Sequence, residues 1–176
     1  MEDAQSYALS DDDIHFILEP DTTIQRYNIL DTLKHIDDIF DAKGRAILLY
    51  NTTDIYTGHW VCLLKRGKHT IEFFDPYGFA PDTQQYRLGN NIDNRKFEQH
   101  DNDLTRLLKK SKYKVYFNTY PFQDRKNYNM ATCGRHCVMR LIHYKKTLPT
   151  YLKKIERSGL NPDDWVTKQT YRILKK

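Results

Sequence analysis

Apolar residues along the chain follow two periods, and the switches between them mark its elements. Ser10 with Asp13 three residues on forms a capping-box pattern. Behind it, Ile14, Ile17 and Leu18 predict a short amphipathic helix ending near Pro20. An irregular arm is expected from Asp21 to Asn28, then a helix in which Ile29, Leu33, Ile36 and Phe40 recur at helical spacing. Arg45 to Tyr50, His59 to Lys65 and Thr70 to Phe74 are short apolar or alternating runs bounded by Gly, Asn and Asp. They predict strands, with a further one at Lys114 to Asn118. Pro76 to Asp103 is rich in Asp, Asn, Gln and Gly and predicts a long surface excursion. Asp103 to Ser111 places Leu104, Leu107 and Leu108 on one helical face. Cys133 to Tyr144 carries Cys137, Val138, Leu141 and Ile142 at core-helix spacing, so a buried helix begins at or near Cys133. Asn161-Pro162, followed by Asp163 and Asp164 and closed by Lys175 and Lys176, marks a last helix. The expected fold is α+β, a mixed central β-sheet of about five strands packed against the buried helix that bears Cys133.

Composition narrows this picture. A chain of 176 residues predicts one domain spanning 1–176, and 13 Tyr, 8 Phe and 2 Trp supply enough apolar surface for a core. Lys and Arg outnumber Asp and Glu by 28 to 23, a net +5 that favours weak attraction to polyanions. The basic residues are spread over several segments with no zinc-finger, RNA-recognition or helix-turn-helix pattern, which makes DNA a secondary partner. Three cysteines without repeated spacing predict free thiols in a reducing compartment. The acidic opening lacks the pattern of a signal peptide, and no apolar run reaches membrane-spanning length.

Candidate chemistry gathers at three places. The run His59 to Lys65 and the run Thr70 to Phe74 read as a hairpin turning at Arg66-Gly67-Lys68. A turn centred on Gly67 sets His59 directly opposite Asp75 on one sheet face, close enough for a carboxylate to hold an imidazole. Cys133 precedes Gly134 at a helix start, where amide N–H groups favour a thiolate, and reads as the exposed thiol. Cys62 and Cys137 suit the core. A thiolate nucleophile needs a base and a carboxylate to orient that base, and His59 and Asp75 offer both. The oxyanion formed by its attack needs donors. Gln123, with the Cys133 backbone N–H, is the first choice, and Asn127 is the alternative.

Gly58-His59-Trp60-Val61, Phe73-Phe74-Asp75-Pro76-Tyr77-Gly78, Gln123-Asp124 and Thr132-Cys133-Gly134-Arg135-His136-Cys137 together resemble the adenain-like cysteine proteases of the SUMO-protease superfamily. The likeness spans about residues 9 to 144 and is closest to the capsid-maturation proteases of virophages and Polinton-type elements. The chain order His, Asp, Gln, Cys fits that group, whereas papain-type enzymes place Cys before His. The resemblance implies Cys133 as nucleophile, His59 as general base, Asp75 as its orienter and Gln123 as oxyanion donor, with Trp60 flanking a narrow substrate cleft. The family's Gln lies nearer its Cys than Gln123 does here, at the interval Asn127 occupies, and a short insertion accounts for the difference. By the same resemblance the substrates are capsid or core precursors cut next to glycine. No cofactor or metal is required, DNA or a capsid-derived peptide stimulates, and a monomer acts in the virion and host-cell cytoplasm.

Two rival readings compete. One keeps the fold but makes the substrates ubiquitin-like proteins, which also end in glycine. The other is a basic nucleic-acid-binding module in which His59, Cys62, Cys133, His136 or Cys137 hold zinc, a poor fit in spacing because His59 and Cys62 point to opposite strand faces.

Overall fold

The computed structural model describes residues 2–19, 21–52, 58–83, 95–99, 101–127 and 130–175. Its centre is a mixed five-stranded sheet in the order β1-β2-β3-β4-β5. The strands are β1 (Thr23–Arg26), β2 (Arg45–Asn51), β3 (Gly58–Lys65), β4 (Thr70–Phe74) and β5 (Lys114–Phe117). The pairs β1–β2 and β4–β5 run parallel, and the pairs β2–β3 and β3–β4 run antiparallel. The helices are α1 (Glu2–Ser6), α2 (Asp11–Leu18), α3 (Asp103–Lys110), α4 (Cys133–Ile142), α5 (Leu148–Glu156) and α6 (Pro162–Leu174).

β2 and β3 are almost wholly apolar because both faces of the sheet are covered. Ile47, Leu49, Cys62, Leu64 and Phe74 form one core with Cys137, Val138 and Leu141 of α4 and with residues of α2, α5 and α6. Ala46, Leu48, Val61, Leu63, Ile71 and Phe73 form the other with Leu104, Leu107 and Leu108 of α3. α4 is further tied to β4 by a buried bidentate ion pair. Arg140 Nε and Nη2 each donate to one oxygen of Glu72 at 2.7 Å.

The capping box at Ser10 and Asp13 forms as predicted, and Asn161 caps α6 by accepting from the Asp164 N–H at 2.8 Å. Other elements differ from expectation. Instead of one helix, two 3-10 turns occupy Tyr27–Asp31 and Ile36–Ile39. Tyr27, Leu30, Leu33, Ile36 and Ile39 repeat every three residues, the period of a 3-10 turn, and Ile29 is left exposed. The arm before them contains β1, whose half-buried Thr-Ile-Gln-Arg has no apolar signature and gains strand geometry by pairing with β2. The excursion after Pro76 is not all surface, since Asp82 and Gln99 are buried. Asp82 accepts from the Tyr27 hydroxyl at 2.7 Å and from the Thr105 N–H at 2.7 Å. Residues 84–94 of the excursion lie outside the described residues.

Candidate active site

His59 is the second residue of β3, and Asp75 follows the last residue of β4. The hairpin between them turns about Lys68 rather than Gly67, with the Arg66 N–H donating to the Thr70 carbonyl at 2.8 Å. The register therefore pairs Cys62 with Phe74 and Leu63 with Phe73, two residues away from the expected one. This corrects the direct opposition of His59 and Asp75. A slip of two residues preserves the face, because side chains alternate with period two. The pair thus becomes diagonal, and the imidazole is long enough to close the gap. His59 Nε2 donates to Asp75 Oδ1 at 2.8 Å, with both side chains buried.

The loop after β4 fixes that contact. Asp75-Pro76-Tyr77-Gly78 is a turn closed by the Gly78 N–H donating to the Asp75 carbonyl at 2.7 Å. Gly78 has φ 72°, and a Cβ there would sit 2.9 Å from the carbonyl oxygens of both Thr119 and Tyr120, so only glycine suits the position. The Tyr77 N–H donates to Asp75 Oδ1 at 2.8 Å, while the Tyr77 ring stacks on His59 with centroids 4.6 Å apart. Asn118 holds the Asp75 backbone from both sides. Its Oδ1 accepts from the Asp75 N–H at 2.9 Å, and its Nδ2 donates to the Asp75 carbonyl at 2.6 Å.

Cys133 opens α4, as the sequence predicts, but it is buried rather than exposed, at 8%. The reason is its setting at the end of the sheet, beneath Trp60 and beside His59. Burial alone would lower the His59 value. The Asp75 charge and hydrogen bond, aided by Cys133, outweigh it and hold the imidazolium up at about 9, against an ordinary 6.5. Burial alone would likewise raise the Cys133 thiol. Hydrogen bonding to His59 and its charge, with the backbone groups of Trp60 and Gly134, outweigh it and pull the thiol below its usual value. Both shifts favour a thiolate–imidazolium pair, with His59 Nδ1 left for the sulfur because Nε2 is engaged by Asp75.

Gln123 lies in the loop ahead of α4 and is anchored next to Asp75. The backbone N–H groups of Phe122 and Gln123 both donate to the Pro76 carbonyl, at 2.8 and 2.9 Å. The Gln123 side chain is buried, and Nε2 donates one hydrogen to the Met130 carbonyl at 3.0 Å, leaving its second hydrogen for another acceptor. Asn127 is exposed. Trp60 is also buried, and a Cβ on Gly134 would lie 3.1 Å from its Cδ1, so the indole closes over the residue after Cys133.

The residues of the zinc reading are divided among separate places. His59 joins Asp75 and Cys133, His136 meets Asp163, and Cys62 and Cys137 sit in the core. Among the described residues no group of three or more His, Cys, Asp or Glu is arranged to hold a metal. Nor is any helix among them long and apolar enough to cross a membrane.

Sequence reasoning missed Asp163, read only as a charge near the start of α6. Its carboxylate accepts from the Thr132 hydroxyl, from His136 Nε2 and from the Asp124 N–H. The carboxylate is held below its usual range. Burial works against this, and the His136 hydrogen bond and charge, with Thr132 and Asp124, prevail. No local pattern announces contacts across 27 to 39 residues of chain.

Fold and site together define an α+β protein in which a buried cysteine, histidine and aspartate line up at the end of a mixed sheet. No family model matches the sequence. Over 173 residues the chain is 34% identical to the uncharacterized protein V9 of Sputnik virophage, covering 93% of this chain and 94% of that one. It belongs to the same family as this virophage protein. Among solved structures, the central domain of the uncharacterized Lpg1148 protein from Legionella pneumophila aligns over 96% of this chain and 99% of its own. Its TM-score is 0.45 at 15% identity, a likeness too slight to bear on fold or function.

Proposed function

We propose that this chain is an adenain-like cysteine endopeptidase that cuts capsid or core precursors of a virophage-like particle next to glycine. The observation that carries the reading is the Asp75–His59–Cys133 line, in which a buried carboxylate holds an imidazole against a thiol at a helix N-terminus. Each member supplies what thiol acyl transfer needs: a nucleophile whose thiol is held below its usual value, a base to carry its proton, and a group that fixes the base's tautomer.

In this mechanism the Cys133 thiolate attacks the scissile carbonyl carbon. A C–S bond forms and the π pair moves to oxygen. The Cys133 N–H and the second Nε2 hydrogen of Gln123 receive that oxyanion. The His59 imidazolium gives its proton to the leaving nitrogen as the C–N bond breaks, which leaves a thioester. Neutral His59 then takes a proton from the water that attacks the thioester. Collapse releases the acid and restores the thiolate–imidazolium pair. The indole of Trp60 over Gly134 supports a cleft too narrow for a side chain, hence glycine beside the cut. Stimulation by DNA or a capsid-derived peptide belongs to the same proposal, and the net charge of +5 supports the former. So does action as a monomer in the virion and host-cell cytoplasm, a setting supported by the virophage relative.

The test is incubation of the protein and its Cys133→Ala variant with glycine-containing peptides from capsid precursors, with and without DNA, read by mass spectrometry. Cleavage next to glycine by the unaltered chain, reduced at least about ten-thousandfold in the variant, is the expected result. Equal inactivity of both chains under every condition would overturn the proposal.

A further inference from the structure

A buried polar cluster outside the Cys133–His59–Asp75 line is built on one carboxylate. Asp163 sits in the first turn of α6 and is 5% exposed. Its Oδ1 accepts from Thr132 Oγ1 at 2.5 Å and from His136 Nε2 at 2.9 Å, and its Oδ2 accepts from the Asp124 N–H at 2.9 Å. Thr132 and His136 bracket Cys133 at the start of α4, and Asp124 is the residue after Gln123. Thr132 occupies the N-cap position of α4 but makes no side-chain cap, and its hydroxyl donates to Asp163.

We infer that Asp163 is a positioning residue that sets the distance between the two oxyanion donors, the Cys133 N–H and the Gln123 side-chain amide. The inference rests on the endopeptidase reading and assigns to it a residue outside the reacting line. One oxygen holds the segment that carries the Cys133 N–H, and the other holds the loop that carries Gln123. Because a single rigid carboxylate spans both, the two donors cannot drift apart without breaking a buried, charge-assisted hydrogen bond. Pro76 anchors only the Gln123 side, through the Phe122 and Gln123 N–H groups, and makes no such bridge to α4. Asp163 touches neither His59 nor the sulfur, so it acts on the oxyanion and not on the ionisation of the thiol.

That division sets the test. Asn at position 163 keeps one acceptor oxygen and places a donor amide at the other, so one of the two ties is lost while the volume is kept. Asp163→Asn should lower kcat for a glycine-containing peptide roughly tenfold to a hundredfold with little change in KM, the size expected when donors are misplaced by about an ångström. Thr132→Val should act in the same direction, and Thr132→Ser, which keeps the hydroxyl, should restore most of kcat. The rate at which iodoacetamide alkylates Cys133, and its pH profile, should stay within about twofold of the unaltered chain in all three, because alkylation forms no oxyanion. A glycyl peptide aldehyde, which adds to the thiolate and develops the same oxyanion, gives a second readout independent of turnover. Its affinity should fall in Asp163→Asn by a factor similar to that in kcat.

A folded Asp163→Asn variant with kcat and aldehyde affinity within twofold of the unaltered chain would overturn the inference and leave the endopeptidase reading intact. Loss of alkylation in step with kcat would also overturn it, since Asp163 would then act on the dyad or on the fold at large. An unaltered chain that binds the aldehyde but cuts no peptide would sink the endopeptidase reading, with Asp163 then judged on aldehyde affinity. A chain that does neither sinks both.

Discussion

Among the described residues two buried histidine–aspartate pairs have nearly the same donor–acceptor distance, His59–Asp75 at 2.8 Å and His136–Asp163 at 2.9 Å. In each the histidine engages through Nε2, and in each the carboxylate also accepts from a backbone N–H, of Tyr77 in one and Asp124 in the other. They differ in what stands on the far side. Beyond His59 lies the Cys133 thiol at a helix N-terminus, while His136 Nδ1 is buried with no hydrogen-bond partner. The chemistry open to a histidine–aspartate pair is thus decided by its third neighbour. Under the endopeptidase reading one pair has a proton to move, and the other has only segments to hold together. Buried polar networks serve both ends, and distance and burial alone do not tell them apart.

The largest test of this contrast is to remove the carboxylate charge from the reacting pair and leave its shape. Asp75→Asn should reduce kcat roughly a thousandfold, because an amide that keeps its carbonyl toward the Tyr77 N–H and His59 no longer stabilises the imidazolium. Asp163→Asn should cost far less. The signature is in the thiol. Alkylation of Cys133 should need a higher pH in Asp75→Asn, where His59 loses the partner that holds its value up, and should not move in Asp163→Asn. Equal effects at the two aspartates, in rate and in alkylation, would erase the distinction between a reacting pair and a holding pair.

The His59–Asp75 contact was legible in the sequence and the His136–Asp163 contact was not, for a physical reason. His59 and Asp75 lie on neighbouring strands of one hairpin, where a period of two and a short turn restrict which side chains can meet. Even a wrong turn centre, Gly67 instead of Lys68, kept them on one face because the error was two residues. Cys133 was legible as a helix start from the apolar spacing that follows it. Its burial was not, since that depends on Trp60 arriving from β3. Asp163 meets Thr132, His136 and Asp124 through the packing of α6 on α4, and no period in the chain records that. The same holds for β1, whose polar residues become a strand only by parallel pairing with β2. α5 was a different miss, since Thr147 with Pro149 behind it is an N-terminal signal present in the sequence.

A sharper cut can be made within the loop that Asp163 steadies. Gln123 and Asn127 both carry side-chain amides, but Gln123 is buried with one amide hydrogen committed to Met130, and Asn127 is exposed. Gln123→Ala should lower kcat about a hundredfold, the loss expected for one oxyanion donor, with KM nearly unchanged. Asn127→Ala should stay within about twofold. Steady-state kinetics on one peptide decide it. The reverse order would place the donor four residues further along and remove the reason for Asp163 to hold Asp124.

The smallest expected effect is thermodynamic, and it separates the pairs by pH. The Asp163 carboxylate is lowered in the folded state, so its contribution to stability is present above its ordinary value of 3.8 and is lost in acid, as pH falls through the folded value. His59 is raised, so taken alone its contribution is full below 6.5 and is lost as pH rises towards about 9. Cys133 is lowered, so its own contribution is full above 9, the ordinary thiol value, and declines as pH falls. Between 6.5 and about 9 these two slopes oppose one another. Wherever the folded dyad holds the thiolate–imidazolium form, it binds the same number of protons as an unfolded thiol with neutral imidazole, and the pair then adds no net pH dependence. Cys133→Ala removes one slope and leaves the other, since Asp75 still holds the His59 value up. The midpoint of thermal unfolding in this variant should therefore fall, relative to the unaltered chain, as pH is raised from 6.5 to about 9, while the loss in acid to which Asp163 contributes should appear in both chains. Parallel curves across the upper window would mean that His59 and Cys133 do not form an ion pair in the folded protein, and the contrast with His136–Asp163 would lose its electrostatic basis.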